Sequence, residues 1–453
     1  MENLSGGNPR MHPGTMSIYR LKSTFPLLTL FIIILTSCET DFVAPKQQEL
    51  SYRSWHSPGM VLTWNQAIED LYTFPIGTGY APPLIARAWS MYHLAMHDAL
   101  NCITPRYDTY VGVERDKDAD PDAAVAQAVY DMLVAVAFPG QNLTGMTALL
   151  QESLASIPDG DAKTRGIALG HAVTQAILAH RSGDAPYLNL NYTPKPAEGD
   201  DPGEYRYLPP LQYFLAGYHL LTPYFMQSQD QFLPGPPYSI NSPEYTADYN
   251  EVKTLGSLTG STRTADQSEI GLFWAENSSR GWNAIAREVI ASRPPQSMDA
   301  WKTARLLALM HAAIGDAYIS IFDSKMYYYY WRPISAIRLG DSDGNEATVG
   351  DPTWTPVLAT PPMGEYPSGH AISGATAGGV LIRFFNKDNF LIAADSGYKP
   401  GVIRHYSKIS DAVRENALSR IYIGFHFRYA VEVGEELGYE LADYVFENAL
   451  QEK

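Results

Sequence analysis

Lys325-Met326-Tyr327-Tyr328-Tyr329-Tyr330-Trp331-Arg332-Pro333 is the stretch that decides how this chain is read. Lys325 and Arg332 stand seven residues apart, close to two helical turns, so both cations can lie on one face. Pro333 then interrupts the helix. Further along comes Pro367-Ser368-Gly369-His370, followed by a run rich in Ala and Gly. A Ser-Gly pair at a helix start offers a hydroxyl, free backbone N–H groups and the positive end of the helix dipole, which together cradle anions. A third fragment, Ser419-Arg420-Ile421-Tyr422-Ile423-Gly424-Phe425-His426, adds a guanidinium and an imidazole. Singly, these fragments read as a solvated helix face, a turn and a core histidine. Together, two Arg, one Lys, one Ser, a backbone N–H and two His suit a tetrahedral or trigonal-bipyramidal oxyanion.

The surroundings are helical. Ala86 to Ile103 is rich in Ala, Met and Leu at helical spacing. Asp120-Pro121 opens another helix, with Pro where its missing N–H costs nothing. Helical patterns continue over Gln141 to Ile157 and Asp161 to His180. From Ser182 to about Ser242 the chain is dense in Pro, Gly, Tyr and Asn and has no periodicity. A loop that long marks a boundary or a function. Thr264-Ala265-Asp266-Gln267 is a capping box. Glu276 to Ser292, Met298 to about Tyr330, the segment after Pro367 and the segment from about Asp411 all read as helices. The class is therefore all-α, in helical bundles. The boundaries are 1–38 for a leader, 39–59 for a tether, 60–242 for an N-terminal half and 243–453 for a C-terminal half that carries the chemistry.

The 453 residues carry a formal charge of −16 and no basic run, which argues against nucleic acid as a partner. Of the two cysteines, Cys38 follows a short apolar run, Phe25 to Leu35, preceded by Arg20 and Lys22. That is the layout of a secretory signal, and it is shorter than the roughly 20 residues of a membrane span. The start of the leader is Met11 or Met16. Leu35-Thr36-Ser37-Cys38 resembles a bacterial lipobox, which implies acylation of Cys38 and an exported lipoprotein anchored on the periplasmic side or at the cell surface. Cys102 reads as a small apolar residue in a helix.

The ordered set of Lys325 with Arg332-Pro333, then Pro367-Ser368-Gly369-His370, then Arg420 with His426 resembles the signature of the vanadium haloperoxidase and type 2 phosphatidic acid phosphatase superfamily. The resemblance covers Lys325 to His426 and implies two packed four-helix-bundle-like halves. It implies that Lys325, Arg332 and Arg420, helped by Ser368 and the N–H of Gly369, bind the oxyanion. His370 is then the general acid–base and Lys325 polarises the bound peroxide. His426 is the axial group, either a vanadium ligand or the nucleophile that attacks phosphate. The signature usually carries Asp four residues after the second histidine; here that position is Ala430, and Tyr429 or Glu432 are the candidates to replace it. Met363, Glu365 and Tyr366 are expected near the mouth of the cradle.

The long helical N-terminal half and the absence of a polytopic hydrophobic pattern favour a haloperoxidase, with vanadate as cofactor and hydrogen peroxide, halide and a small organic acceptor as partners. The alternative is an acid phosphatase acting on phosphate esters through a phosphohistidine. A third reading is a surface lipoprotein that keeps the fold as a binding module. His93 and His97 have i,i+4 spacing without a third ligand, so they read as packed histidines rather than a zinc site. Asp341 to Asn345 reads as a polar turn rather than a calcium loop. Some of Tyr327 to Tyr330 face the site in this reading.

Overall fold

A computed structural model describes residues 58–72, 81–190, 192, 193 and 195–453. The leader, Cys38 and all but the last two residues of the 39–59 tether lie outside the described residues.

The helices run in chain order as α1 (Gly59–Leu71), α2 (Pro82–Asn101), α3 (Pro121–Ala135), α4 (Thr144–Ala155) and α5 (Asp161–His180). After the irregular stretch come α6 (Pro243–Leu255), α7 (Ala265–Phe273), α8 (Ser278–Ala291), α9 (Ala300–Tyr328), α10 (Pro333–Arg338) and α11 (Gly369–Phe385). A hairpin of β1 (Asn389–Asp395) and β2 (Ile403–Lys408) precedes α12 (Ile409–Tyr422) and α13 (Arg428–Asn448). Local chemistry sets the starts. Asp120, Ser242, Asn277 and Asp299 each cap a helix with a side-chain oxygen, and Thr264 with Gln267 closes the full capping box.

The hairpin is absent from the sequence reading, and its short apolar strand explains why. Along β1 only Phe390, Ile392 and Ala394 are buried, an alternation too brief to separate from a helix fragment by pattern alone. It pairs antiparallel with β2.

Helix α9 is the axis of the molecule. It is long and apolar enough to cross a bilayer by composition, yet its apolar window is almost wholly buried, packed between α2 on one side and α11 on the other. Such a helix, apolar all round, belongs in a core. Its one buried carboxylate, Asp316, accepts the backbone N–H groups of Tyr224, Phe225 and Met226. These three bonds tie the irregular 182–242 stretch to the centre of the fold. The stretch is clamped again where Tyr205 N–H donates to Tyr329 and Trp331 N–H donates to Gly203.

α11 and α13 pack with little space between their backbones. A Cβ on Gly438 would stand 2.5 Å from the Ile372 carbonyl oxygen and 2.6 Å from Ala375 Cβ; one on Gly434 would stand 2.8 Å from the Ser368 oxygen. The two glycines therefore set how closely α11, whose first turn is the Ser-Gly-His fragment, approaches α13.

Candidate active site

The three sequence fragments converge on one cavity of about 240 Å³. Each side chain is delivered from an element end. Lys325 lies in the last turn of α9, which stops at Tyr329 in the left-handed conformation. Arg332 is the residue before α10, Ser368 caps α11, Arg420 sits in the last turn of α12, and His426 lies in the turn into α13. Lys325, Arg332, Gly369, His370, Arg420 and His426 all line the cavity. The rest of the wall is apolar, with Phe214, Ile321, Phe322, Met363 and Phe425 among its residues.

Ser368 is placed differently. It is wholly buried behind the cavity wall, and its hydroxyl faces the Ala371 N–H as a helix cap. The contribution of this turn to the cavity is Gly369, at the first helical position, where no intrahelical acceptor exists for its N–H.

Arg332 and Arg420 are buried, and neither forms an ion pair with a carboxylate among the described residues. Arg332 Nε donates to the Met363 carbonyl at 2.9 Å and Nη1 donates to that of Phe425 at 3.1 Å. Arg420 Nη1 donates to the Trp274 carbonyl at 2.8 Å. Backbone oxygens thus aim both guanidiniums while leaving their charge unneutralised. Burial depresses the Arg420 pKa to about 9, with repulsion from Arg332 adding to it, and burial lowers Arg332 as well. A bound oxyanion would relieve that strain, since it supplies the missing negative charge.

Lys325 Nζ donates to three carbonyls, those of Gly364 at 2.9 Å, Glu365 at 2.6 Å and Pro367 at 2.7 Å. Burial and Arg332 push its pKa well down. Three carbonyl acceptors nevertheless need three N–H donors, which only the ammonium form has. The expected oxyanion contact is therefore not the one observed: Lys325 braces the 364–367 segment, and it reaches an anion only by giving up a carbonyl.

His426 is fixed from both sides. Arg332 Nη1 lies 3.1 Å from Nε2, and a guanidinium can only donate, so Nε2 is the unprotonated nitrogen. Nδ1 then carries the proton and donates it to Glu365 Oε1 at 2.8 Å. The same oxygen accepts the Phe427 N–H at 3.0 Å. Burial, then Arg332, Lys325, Arg420 and His370, hold the His426 pKa far below its usual value. The ring is neutral, with its lone pair turned to the cationic side of the cavity.

Glu365 is thus the carboxylate that takes the place of the residue missing at Ala430. It is fully buried rather than at the mouth of the site. Neither expected substitute serves: Tyr429 stacks on Tyr366 and Tyr238, and Glu432 pairs with Arg414 and Arg428. Tyr366 is also buried, its hydroxyl donating to Gly235, so of the three expected mouth residues only Met363 lines the cavity. The available signal was that Glu365 is the one charge between Ala359 and Pro367, directly before the Ser-Gly-His turn.

His370 lies 3.1 Å from the Glu276 carbonyl through Nε2, so Nε2 bears the proton and Nδ1 is free to accept one. Burial, with Arg420, lowers its pKa to about 3. An anion in the cradle opposes both effects and raises it.

The other candidates lie elsewhere. None of Tyr327 to Tyr330 lines the cavity. His93 bonds to Trp89 and Asn65, His97 bonds to the Asp108 carbonyl, and among the described residues no three His, Cys, Asp or Glu group as a metal cage. The Asp341 to Asn345 segment is a turn in which Asp343 accepts the Asn345 N–H and Asp341 accepts that of Gly350. The donor set of the cavity therefore fits an oxyanion held by cations, with the unprotonated His426 Nε2, which now accepts from Arg332, on the cavity wall.

Comparison with known proteins agrees with that geometry. Residues 305–452 match the family described as the VCPO second helical-bundle domain. That match contains Lys325, Arg332, Ser368, Gly369, His370, Arg420 and His426. The chain is 25% identical to vanadium chloroperoxidase of Curvularia inaequalis over 496 residues, covering 84% of this chain and 80% of that one. Among solved structures, one described as the first bacterial vanadium-dependent iodoperoxidase superposes with a TM-score of 0.72 at 24% identity, over 87% of this chain and 97% of that one. A holo-type bacterial vanadium-dependent chloroperoxidase superposes with a TM-score of 0.64 at 15% identity, over 85% and 96% of the two chains. The likeness to these proteins thus extends well beyond the three motifs.

Proposed function

We propose that this protein is a vanadate-dependent haloperoxidase that uses hydrogen peroxide to oxidise a halide and so halogenate small organic acceptors. The observation that carries this reading is the neutral His426, whose Nε2 lone pair faces a cavity lined by two buried arginines without carboxylate partners. The vanadium-peroxidase relatives support it.

Arg332, Arg420, the N–H of Gly369 and His426 Nε2 are the groups that would hold vanadate. When bound, vanadate would supply a Lewis-acid centre that activates hydrogen peroxide towards halide without changing oxidation state. Glu365 holds the His426 Nδ1 proton, which keeps the lone pair on Nε2 and raises its basicity. His370, its ring held through Nε2 by the Glu276 carbonyl, presents Nδ1 as the group that would hold and return a proton during peroxide activation. The apolar wall limits water around the reacting atoms and offers the acceptor a surface to rest on.

One observation favours a second reading. A carboxylate on Nδ1 is also what a nucleophilic histidine needs, so Glu365 restores the phosphohistidine route that Ala430 alone weakened. The two are separated by one comparison. The vanadate-loaded protein should brominate or iodinate a dye with peroxide and lose this in His426→Ala. Phosphate release from 4-nitrophenyl phosphate by the vanadate-free protein, without halogenation, would reverse the assignment. We also propose that Cys38 is acylated and anchors an exported protein; mass spectrometry of the mature N-terminus tests this.

A further inference from the structure

Five arginines are buried among the described residues: Arg181, Arg280, Arg305, Arg332 and Arg420. Arg181 pairs with Asp184, and Arg280 pairs with Glu276 and Asp395. Arg332 and Arg420 are the guanidiniums of the oxyanion cradle. Arg305 is the fifth, and it too forms no ion pair with a carboxylate among the described residues. Burying a guanidinium without a hydrogen-bonded counter-charge is costly, and Glu452 acts on Arg305 only by attraction without an ion pair, so the site invites an anion.

Arg305 lines a second cavity, of about 350 Å³, together with Arg293 and Lys302. None of these cations is ion-paired among the described residues, and the one acid on the wall, Glu452, is not bonded to any of them. Arg305 and Lys325 stand twenty residues apart on α9, about 30 Å along the helix, so this cavity is remote from the cradle. Lys302 and Arg305 are i,i+3 and share a face. Arg305 Nε is fixed to the Leu450 carbonyl at 2.7 Å, while its two Nη groups donate to no protein acceptor. The guanidinium carbon lies 5.0 Å from the Tyr107 ring centroid, 5.6 Å from that of Phe446 and 5.8 Å from that of Phe384. Phe385 and Met298 extend this apolar wall.

Three unpaired cations beside aromatic rings match a small amphipathic anion, and a cavity of this size falls within the range of small-molecule sites. We propose that this second cavity binds an aryl or acyl carboxylate, its head on Arg305, Lys302 and Arg293 and its apolar body on Phe384, Phe385 and Phe446. The proposal is independent of the reaction at the cradle.

Isothermal titration of the purified protein with 2-naphthoate, beside its neutral isostere 2-naphthamide, tests it. The carboxylate should bind at least about tenfold more tightly than the amide, as expected for a charge-assisted contact. Binding should weaken by a similar factor in Arg305→Gln and in Lys302→Glu, whose exposed position leaves folding intact, and persist in Arg420→Gln. Equal affinity for acid and amide, no measurable binding, or binding lost in Arg420→Gln but kept in Lys302→Glu would each overturn the assignment, the last by placing naphthoate in the cradle.

Discussion

Glu365 Oε1 accepts the Nδ1 proton of His426 at 2.8 Å across 61 residues of sequence. That bond sets the tautomer, and through it the chemistry of the cradle. A positioning carboxylate of this kind typically contributes about 10–100-fold to ligand affinity or activity. Glu365→Gln should lower halogenation and vanadate affinity within that range. Because Glu365 and Ala430 line the same small cavity, the carboxylate should also be movable. Glu365→Ala combined with Ala430→Asp should recover part of the loss, and steady-state kinetics on the three proteins would show it. No recovery, with the double variant folded, would mean that Glu365 acts only through packing.

The cradle arginines are expected to separate stability from binding. In Arg420→Met the anion-free protein should melt at or above the wild-type temperature, since a buried cation under repulsion is removed. Wild-type protein at a vanadate concentration about 100-fold above Kd should gain about 2.7 kcal/mol, and the variant almost none. Arg420→Lys should not restore binding, because the planar fork is lost. Thermal melts with and without orthovanadate provide the check.

Glu276 makes stability depend on pH. Burial raises its pKa from 4.5 to about 7, against the opposing pull of Arg280. The folded state therefore binds this proton more tightly than the unfolded chain. Its contribution is complete below about 4.5 and is lost as pH rises through about 7. Glu276→Gln should flatten the stability curve across that window by an amount on the order of 3 kcal/mol. Denaturant titrations at several pH values measure this; an unchanged slope would place the titration on another group.

Gly438 links the packing of α11 to the site. A methyl there meets the Ile372 carbonyl and Ala375. Gly438→Ala should destabilise the fold by about 1–3 kcal/mol, as overpacking does. Displacing the first turn of α11 should also weaken vanadate binding. Calorimetric melting and a vanadate titration on the same sample report the two effects.

Much of this protein is determined locally and was legible without coordinates. Asp161–His180 forms a helix as its pattern implies, Asp120-Pro121 and Thr264 to Gln267 start helices as caps, and the residues of the three motifs lie at helix or turn ends. Caps and periodicity act over a few residues, so a linear reading captures them. The convergence of Lys325, Arg332, His370, Arg420 and His426 was legible only as a resemblance, since no local rule brings α9, α11 and α12 together. Tertiary structure alone decided that Glu365, a lone acid in an irregular segment, lies behind His426. It also turned Lys325 onto three backbone carbonyls and left Arg305 buried without an ion pair. Those outcomes depend on which groups lose water together, and that is a property of the packed chain rather than of neighbouring residues.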